Sequence, residues 1–325
     1  MKVLFLYKLN SQELDYFRSA SKAEDVQFAE KSKFPDWDLN PEDFQILVGH
    51  RVPEEILNAA SSAQYLIIPF TGVPEIDLNN SKKFQQITLL NCHYNAVLAA
   101  EHAWALLLAS AKRLIPAHNE FSRGDWSIRY ERPEWSDSLT GKTLLLIGYG
   151  EIGKRLARFG RAFEMKILAV NRTGNGGEEV AGTPDDLPAL LPMADFIIVS
   201  LPEAPETRSM LGEREFAMMK PGVHIVNIGR GSSIDEDAFY NALKSGKIGG
   251  AGIDVWWKYP DSEEERKGTS PSKHSIEDFD NVVMSPHRAS HVHGRELLRN
   301  KHLAAIIDSA IEGNPMNIID TRRGY

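Results

Sequence analysis

Short apolar runs of about four to six residues alternate with segments of helical spacing along the whole chain. A first series occupies residues 3–7, 46–49, 65–69 and 87–90. A second occupies residues 143–147, 166–170, 196–200, 224–228, 250–253 and 282–284. Runs of this length, rich in Val, Ile and Leu, fit strands buried on both faces of a parallel sheet. The intervening segments 154–163 and 235–244 carry helical spacing, so the pattern predicts repeated βαβ units and an α/β fold. Residues 96–114 read as one long apolar helix that separates the two series, and residues 295–311 as a helix after the last strand. The expected organisation is one α/β domain made of residues 1–95 and 291–325, with residues 96–290 inserted as a second. Residues 123–139 and 261–275 read as insertions or lids, the latter mobile.

Composition narrows the class. The 325 residues are 42% hydrophobic and 25% charged, a globular balance. With 37 Lys and Arg against 45 Asp and Glu the net charge is −8, which argues against nucleic acid and an anionic membrane as partners. The single cysteine, Cys92, excludes an intrachain disulfide and a multi-cysteine zinc site, and suits a reducing, cytoplasmic setting. The opening MKVLFLYK is too short an apolar run for a signal peptide and reads as a first strand.

The run 143–147 leads directly into Gly148-Tyr-Gly150-Glu151-Ile152-Gly153 and then a helical segment. Strand, glycine turn and helix together point to a dinucleotide pocket far more strongly than G-x-G-x-x-G alone. Gly148 allows the tight turn, Gly150 lets a pyrophosphate approach the backbone, and Gly153 lets helix and strand pack closely. The next strand should end on the residue that reads the adenosine ribose. That position, 23 residues after Gly148, is Asn171, followed by Arg172 and Thr173. With no acid to bind a 2′-hydroxyl and a guanidinium ready for a 2′-phosphate, NADP is favoured over NAD.

Ligands of doubly wound sheets sit beyond the carboxyl ends of the strands. The later runs are followed there by Leu201-Pro202 with Thr207, by Ile228-Gly229-Arg230, by Asp254 and by Ser285-Pro-His287. Arg230 offers a planar fork for a carboxylate, and His287 titrates near neutrality and can exchange a proton with an alkoxide. Asp254 can accept from a nicotinamide carboxamide. Residues 291 and 293 add two histidines, His291 and His293, but without nearby cysteines or acids, so no metal is expected. Trp256 and Trp257 fit a pocket wall and a core equally well.

The succession GYGEIG, LPEAPET, MKPGVHIVNIGRG, GGAGIDVW and SPHRA resembles the D-isomer-specific 2-hydroxyacid dehydrogenases, which include glyoxylate, hydroxypyruvate and phosphoglycerate reductases. The similarity extends over almost the whole chain. It implies a Rossmann cofactor domain inserted in a flavodoxin-like substrate domain, a site in the cleft between them, and a homodimer built around residues 96–114. It implies a small 2-keto or 2-hydroxy acid as substrate, Arg230 as its anchor and His287 as the acid/base. Thr71, Gly72 and Val73 would give backbone N–H groups to the substrate carboxylate. One position departs from the family pattern: Tyr259 stands where a glutamate normally pairs with the histidine. A phenol can orient the ring but adds no opposite charge, which predicts a histidine less readily protonated and a reduction that fades at lower pH. Two other readings fit that departure, a nucleotide-sensing corepressor-like module and a formate-type dehydrogenase, whose neutral residue there serves a reaction that needs no proton donor.

Overall fold

The computed structural model describes residues 1–131, 135–175, 177 and 179–321. The chain divides into two compact units, Met1–Ala96 together with the chain from Val292 onward, and Val97–His291. The larger unit is thus inserted in sequence between two pieces of the smaller.

In the smaller unit the strands are β1 (Lys2–Phe5), β2 (Asp25–Phe28), β3 (Ile46–Val48), β4 (Tyr65–Ile68) and β5 (Thr88–Asn91). They pair in parallel in the order β2-β1-β3-β4-β5, the flavodoxin-like arrangement. Val3, Leu4, Phe5, Ile46, Leu47 and Val48 are fully buried, as strands covered on both faces require. β2 was not expected from the sequence. It is an edge strand in which only Val26 is buried, so Asp25–Phe28 never forms an apolar run.

After β3 the chain turns through Arg51, a non-glycine residue at φ 49°. The buried Asp77 accepts from the Arg51 amide at 2.6 Å and the Val52 amide at 2.9 Å, and Asn80 Nδ2 donates to the Val52 carbonyl at 2.7 Å. Burial drives the Asp77 carboxyl above its ordinary range, and the two amide bonds do not offset it.

The larger unit holds β6 (Thr143–Ile147), β7 (Lys166–Val170), β8 (Val180–Gly182), β9 (Phe196–Val199), β10 (Val223–Asn227), β11 (Ile248–Ile253) and β12 (Val282–Met284). All pairs are parallel, in the order β12-β11-β10-β9-β6-β7-β8. Order therefore reverses at β6, the topological switch of a doubly wound Rossmann sheet. β8, three residues at the far edge, is the second strand that the hydrophobic pattern did not announce.

The helix expected over residues 96–114 ends at Ala111. Arg113 takes φ 53° and redirects the chain into a separate helix, Leu114–Phe121. Trp104, inside the stretch around which the family resemblance implies a homodimer, lies 7% exposed in its own unit's core against Phe159 and Phe163. The exposed apolar side chains follow instead: Leu114, Ile115, Phe121, Trp126 and Tyr130. Within the stretch read as a mobile lid, Ser272 is buried and its hydroxyl donates to Glu236 at 2.8 Å, which fixes that end. Part of the segment 123–139 (132–134) lies outside the described residues. Among the described residues no helix is long and apolar enough to cross a membrane.

Candidate active site

The glycine turn divides its labour as steric space dictates. Gly148 sits at φ +103°, where an added Cβ would strike Ser200 O at 2.8 Å. A Cβ on Gly153 would meet Gly148 O at 2.4 Å, so the helix Glu151–Ala162 can start against the strand only with glycine there. A Cβ on Gly150 would meet nothing within 4 Å. That glycine is required by nothing inside the protein, so the open space above it fits a group from outside. Together with the N-terminus of a twelve-residue helix, this is a cradle that suits a dinucleotide pyrophosphate. Ile152 packs into the core beneath, and Glu151 is exposed beside Lys154 at 3.1 Å.

At the end of β7 the Asn171 side chain builds the turn that follows. Its Oδ1 accepts from the Thr173 amide at 3.0 Å and the Thr173 hydroxyl at 3.1 Å, and its Nδ2 donates to Asn175 O at 2.5 Å. Arg172 and Thr173 are carried exposed at the tip. After β9, the Thr207 hydroxyl closes the loop that holds Leu201 and Pro202, accepting from the Ala204 amide at 3.0 Å and lying 2.8 Å from Pro202 O.

Because β9 to β12 are parallel, the residues that follow them emerge on one edge of the sheet. After β10, Ile228 is buried, Asn227 Oδ1 accepts from the Gly229 amide at 3.1 Å, and its Nδ2 donates to Arg230 O at 2.9 Å. A Cβ on Gly229 would collide with Leu201 N and O at 2.6 Å, so the β9 and β10 loops touch backbone to backbone. Gly231 is tighter still, its Cβ position lying 2.2 Å from Trp256 O and 2.9 Å from Trp257 N. Arg230 Nη1 donates to Gly229 O at 2.7 Å.

Asp254, 1% exposed, follows β11 and is the hub of the edge. Its Oδ1 accepts from the Ser285 hydroxyl at 2.6 Å and the Arg288 amide at 2.9 Å, with His102 Nε2 at 3.3 Å, and its Oδ2 accepts from the Ala289 amide at 3.1 Å. Burial pushes its carboxyl up, but the bonds from His102, Ser285 and Arg288 outweigh that and hold it below the usual range. His287, just before those amides, sits at φ 51°. Its Nδ1 lies 3.0 Å from the Tyr259 hydroxyl, which accepts from the Trp256 amide at 3.1 Å. Partial burial lowers the His287 pKa; Asp254 pulls it up, Arg230 and His291 push it down, and the balance falls below the ordinary histidine value. The shift has the expected direction, but burial rather than the missing glutamate is its largest cause.

Both tryptophans belong to the core side of the choice: Trp256 Nε1 donates to Ser285 O at 2.8 Å and Trp257 Nε1 to Ile234 O at 2.8 Å. Among the described residues no group of three or more His, Cys, Asp or Glu is placed to hold a metal. In the smaller unit, Thr71, Gly72 and Val73 follow β4, where Asn91 Nδ2 donates to Thr71 O at 2.6 Å and Val73 packs on the core. Sequence reasoning assigned no role to His102 or Ser285. The available signal was a histidine inside an apolar helix, which is costly unless partnered.

Sheet order and glycine cradle define a doubly wound fold of the dinucleotide-binding type. Residues 104–289 match the family model "D-isomer specific 2-hydroxyacid dehydrogenase, NAD binding domain". A glyoxylate reductase of Thermococcus litoralis is 32% identical over 83% of this chain and 82% of its own length. A D-3-phosphoglycerate dehydrogenase of Archaeoglobus fulgidus is 31% identical over 82% of this chain, which spans only 49% of that protein. Among solved structures, an acyclic imino acid reductase (Bsp5) in complex with NADPH and D-Arg aligns with a TM-score of 0.75 at 26% identity, covering 98% of this chain and 100% of that one. The chain belongs to the D-isomer specific 2-hydroxyacid dehydrogenase family. Membership supports an NAD(P)-dependent enzyme over the corepressor-like and formate-type alternatives.

Proposed function

We propose that the protein reduces a small 2-keto acid, such as glyoxylate or hydroxypyruvate, to its D-2-hydroxy acid, with NADPH preferred over NADH. The observation that carries this reading is one sheet edge holding a carboxylate-binding guanidinium, Arg230, within electrostatic reach of a histidine braced at Nδ1. The nicotinamide, when bound, supplies the hydride to the keto carbon. Arg230 holds the substrate carboxylate and polarises the carbonyl. His287 gives the proton to the forming alkoxide from Nε2, because Nδ1 is engaged by Tyr259. Asp254 holds the turn that carries His287 and keeps lone-pair capacity on Oδ2 for the cofactor carboxamide. In the smaller unit, the amides of Thr71, Gly72 and Val73 are proposed as carboxylate donors. Leu201, Pro202, Thr207, Ile228 and Gly229 form the wall on the cofactor side. The exposed apolar residues from Leu114 to Tyr130 support a homodimer, and the single buried cysteine a cytoplasmic setting.

The test is NADPH and NADH oxidation with a panel of 2-keto acids. Arg230→Ala should lower kcat/KM by about a hundredfold, the cost of leaving a charged partner unpaired. His287→Gln should lower kcat by at least about a hundredfold. Wild-type turnover no faster than that of Arg230→Ala would refute the reading. Arg172→Ala should cut the NADPH-over-NADH preference about tenfold by removing the charged partner of the 2′-phosphate. An unchanged ratio would remove the cofactor assignment.

A further inference from the structure

The helix Ala96–Ala111 lies across β11 in a fixed register. A Cβ on Gly250 would meet Ser110 Oγ at 2.4 Å, and one on Gly252 would meet Leu106 Cβ at 2.8 Å. Four helical residues advance about 6 Å and two strand residues about 7 Å, so the next pair in the series is His102 with Asp254. The two glycines let the helix come close enough for that pair to meet. His102 Nε2 lies 3.3 Å from Asp254 Oδ1 and 2.9 Å from Ser285 Oγ.

The hydrogens follow by elimination. Ser285 has one hydroxyl hydrogen, and at 2.6 Å from Asp254 Oδ1 it is spent on the carboxylate. Both oxygens facing His102 then accept, so Nε2 carries the hydrogen. His102 therefore caps a buried carboxylate whose other bonds go to the amides of Arg288 and Ala289, directly after His287. A left-handed histidine is strained and persists only where its surroundings over-determine it.

We infer that His102 is a positioning residue for His287, its Nε2–H locking the Asp254–Ser285 pair so that the pair holds the His287 turn in its left-handed form. The inference rests on the reading of His287 as the acid/base group. Around His287 stand Asp254, Arg230, His291 and the Tyr259 hydroxyl. His102 reaches it only through the first of these.

Two measurements test this on the whole protein. With glyoxylate and NADPH, His102→Leu should lower kcat about tenfold, as a small displacement of a catalytic group does. His102→Gln, which keeps an N–H at similar reach, should restore kcat to within about threefold. In a His287→Gln background, His102→Leu should cost less than about twofold more, because the group it positions is gone. A purely structural role would instead give the same loss in both backgrounds.

The second readout needs no turnover: the imidazole titration of His287 followed by NMR, its signal identified by its loss in His287→Gln. Freed of one donor, Asp254 presents more negative charge to His287, so His102→Leu should raise the midpoint by about half a pH unit, and His102→Gln should return it. Ser285→Ala, a smaller change, should shift it in the same direction if His102→Leu does not fold. Equal losses in both backgrounds, a glutamine variant that tracks leucine, or an unmoved midpoint would each overturn the inference. If no keto acid is turned over, the proposed reaction fails while the titration still decides the role of His102.

Discussion

In the larger unit the chain leaves β12 through His287 at φ 51°, and Asp254 accepts from the two amides that follow it. In the smaller unit it leaves β3 through Arg51 at φ 49°, and Asp77 accepts from the Arg51 and Val52 amides. Both turns thus place a left-handed residue beside a buried aspartate that receives two backbone bonds. Their electrostatics are opposite: Asp254 is held below the ordinary carboxylate range and Asp77 is driven above it. The difference lies in the side-chain donors. Asp254 has Ser285 and His102, whereas the bonds that counter burial at Asp77 come from backbone amides. Two amides hold a turn, but holding a buried carboxylate below its ordinary range takes further donors brought in from other elements.

The largest expected effects come from neutralising each aspartate. A depressed pKa contributes stability above the ordinary carboxylate value that is lost as pH falls through the depressed one. A raised pKa contributes stability in acid that is lost as pH rises through the raised one. Asp254→Asn should therefore cost about 2–3 kcal/mol at pH 7, with the penalty shrinking on acidification. Asp77→Asn should cost about 1–2 kcal/mol at pH 7, because its Nδ2 cannot accept from one of the two amides, and relatively more in acid. Thermal melts of the two variants between pH 4 and 7.5 check this, and parallel slopes would break the comparison.

An effect of intermediate size should follow from adding a charge at the His287 turn. In the proposed reaction reduction uses the protonated imidazole, so activity should be present below the His287 pKa and lost as pH rises through it. Tyr259→Glu places a carboxylate against Nδ1 and should move that loss upward by about one pH unit, read from kcat/KM profiles. A profile that stays in place would mean that a charge at position 259 does not reach the imidazole. The smallest effect concerns the Arg51 turn. Arg51→Val should destabilise by about 1 kcal/mol, and Arg51→Gly by less, since only glycine occupies that φ without steric cost.

Most strands legible in the sequence were buried, and the edge strand Val282–Met284 was legible without burial because its residues are themselves apolar. Asp25–Phe28 and Val180–Gly182 were not, because at the open sides of their sheets apolar continuity is not required and their polar or small residues form no apolar run of strand length. The long helix was visible but its end was not: the break depends on the conformation of Arg113, which nothing in an apolar run predicts. At the candidate site, Arg230, Asp254 and His287 could be read because strand ends fall on one edge of a parallel sheet, whereas Tyr259 was singled out only by the family resemblance. His102 could not, since its contact exists only after a helix more than a hundred residues upstream is laid over Gly250 and Gly252. In hindsight the signal is paired: a histidine, leucine and serine at four-residue spacing facing glycines and an aspartate at two-residue spacing.

Gly231 has a mechanical consequence. With Trp256 O occupying the very place where its side chain would be, the segment carrying Arg230 and the segment leading to Tyr259 are two backbones in direct abutment, without a deformable side chain as a cushion. Neither backbone can approach the other further, so an alanine at this one position should push apart the segment that carries Arg230 and the segment that leads to Tyr259.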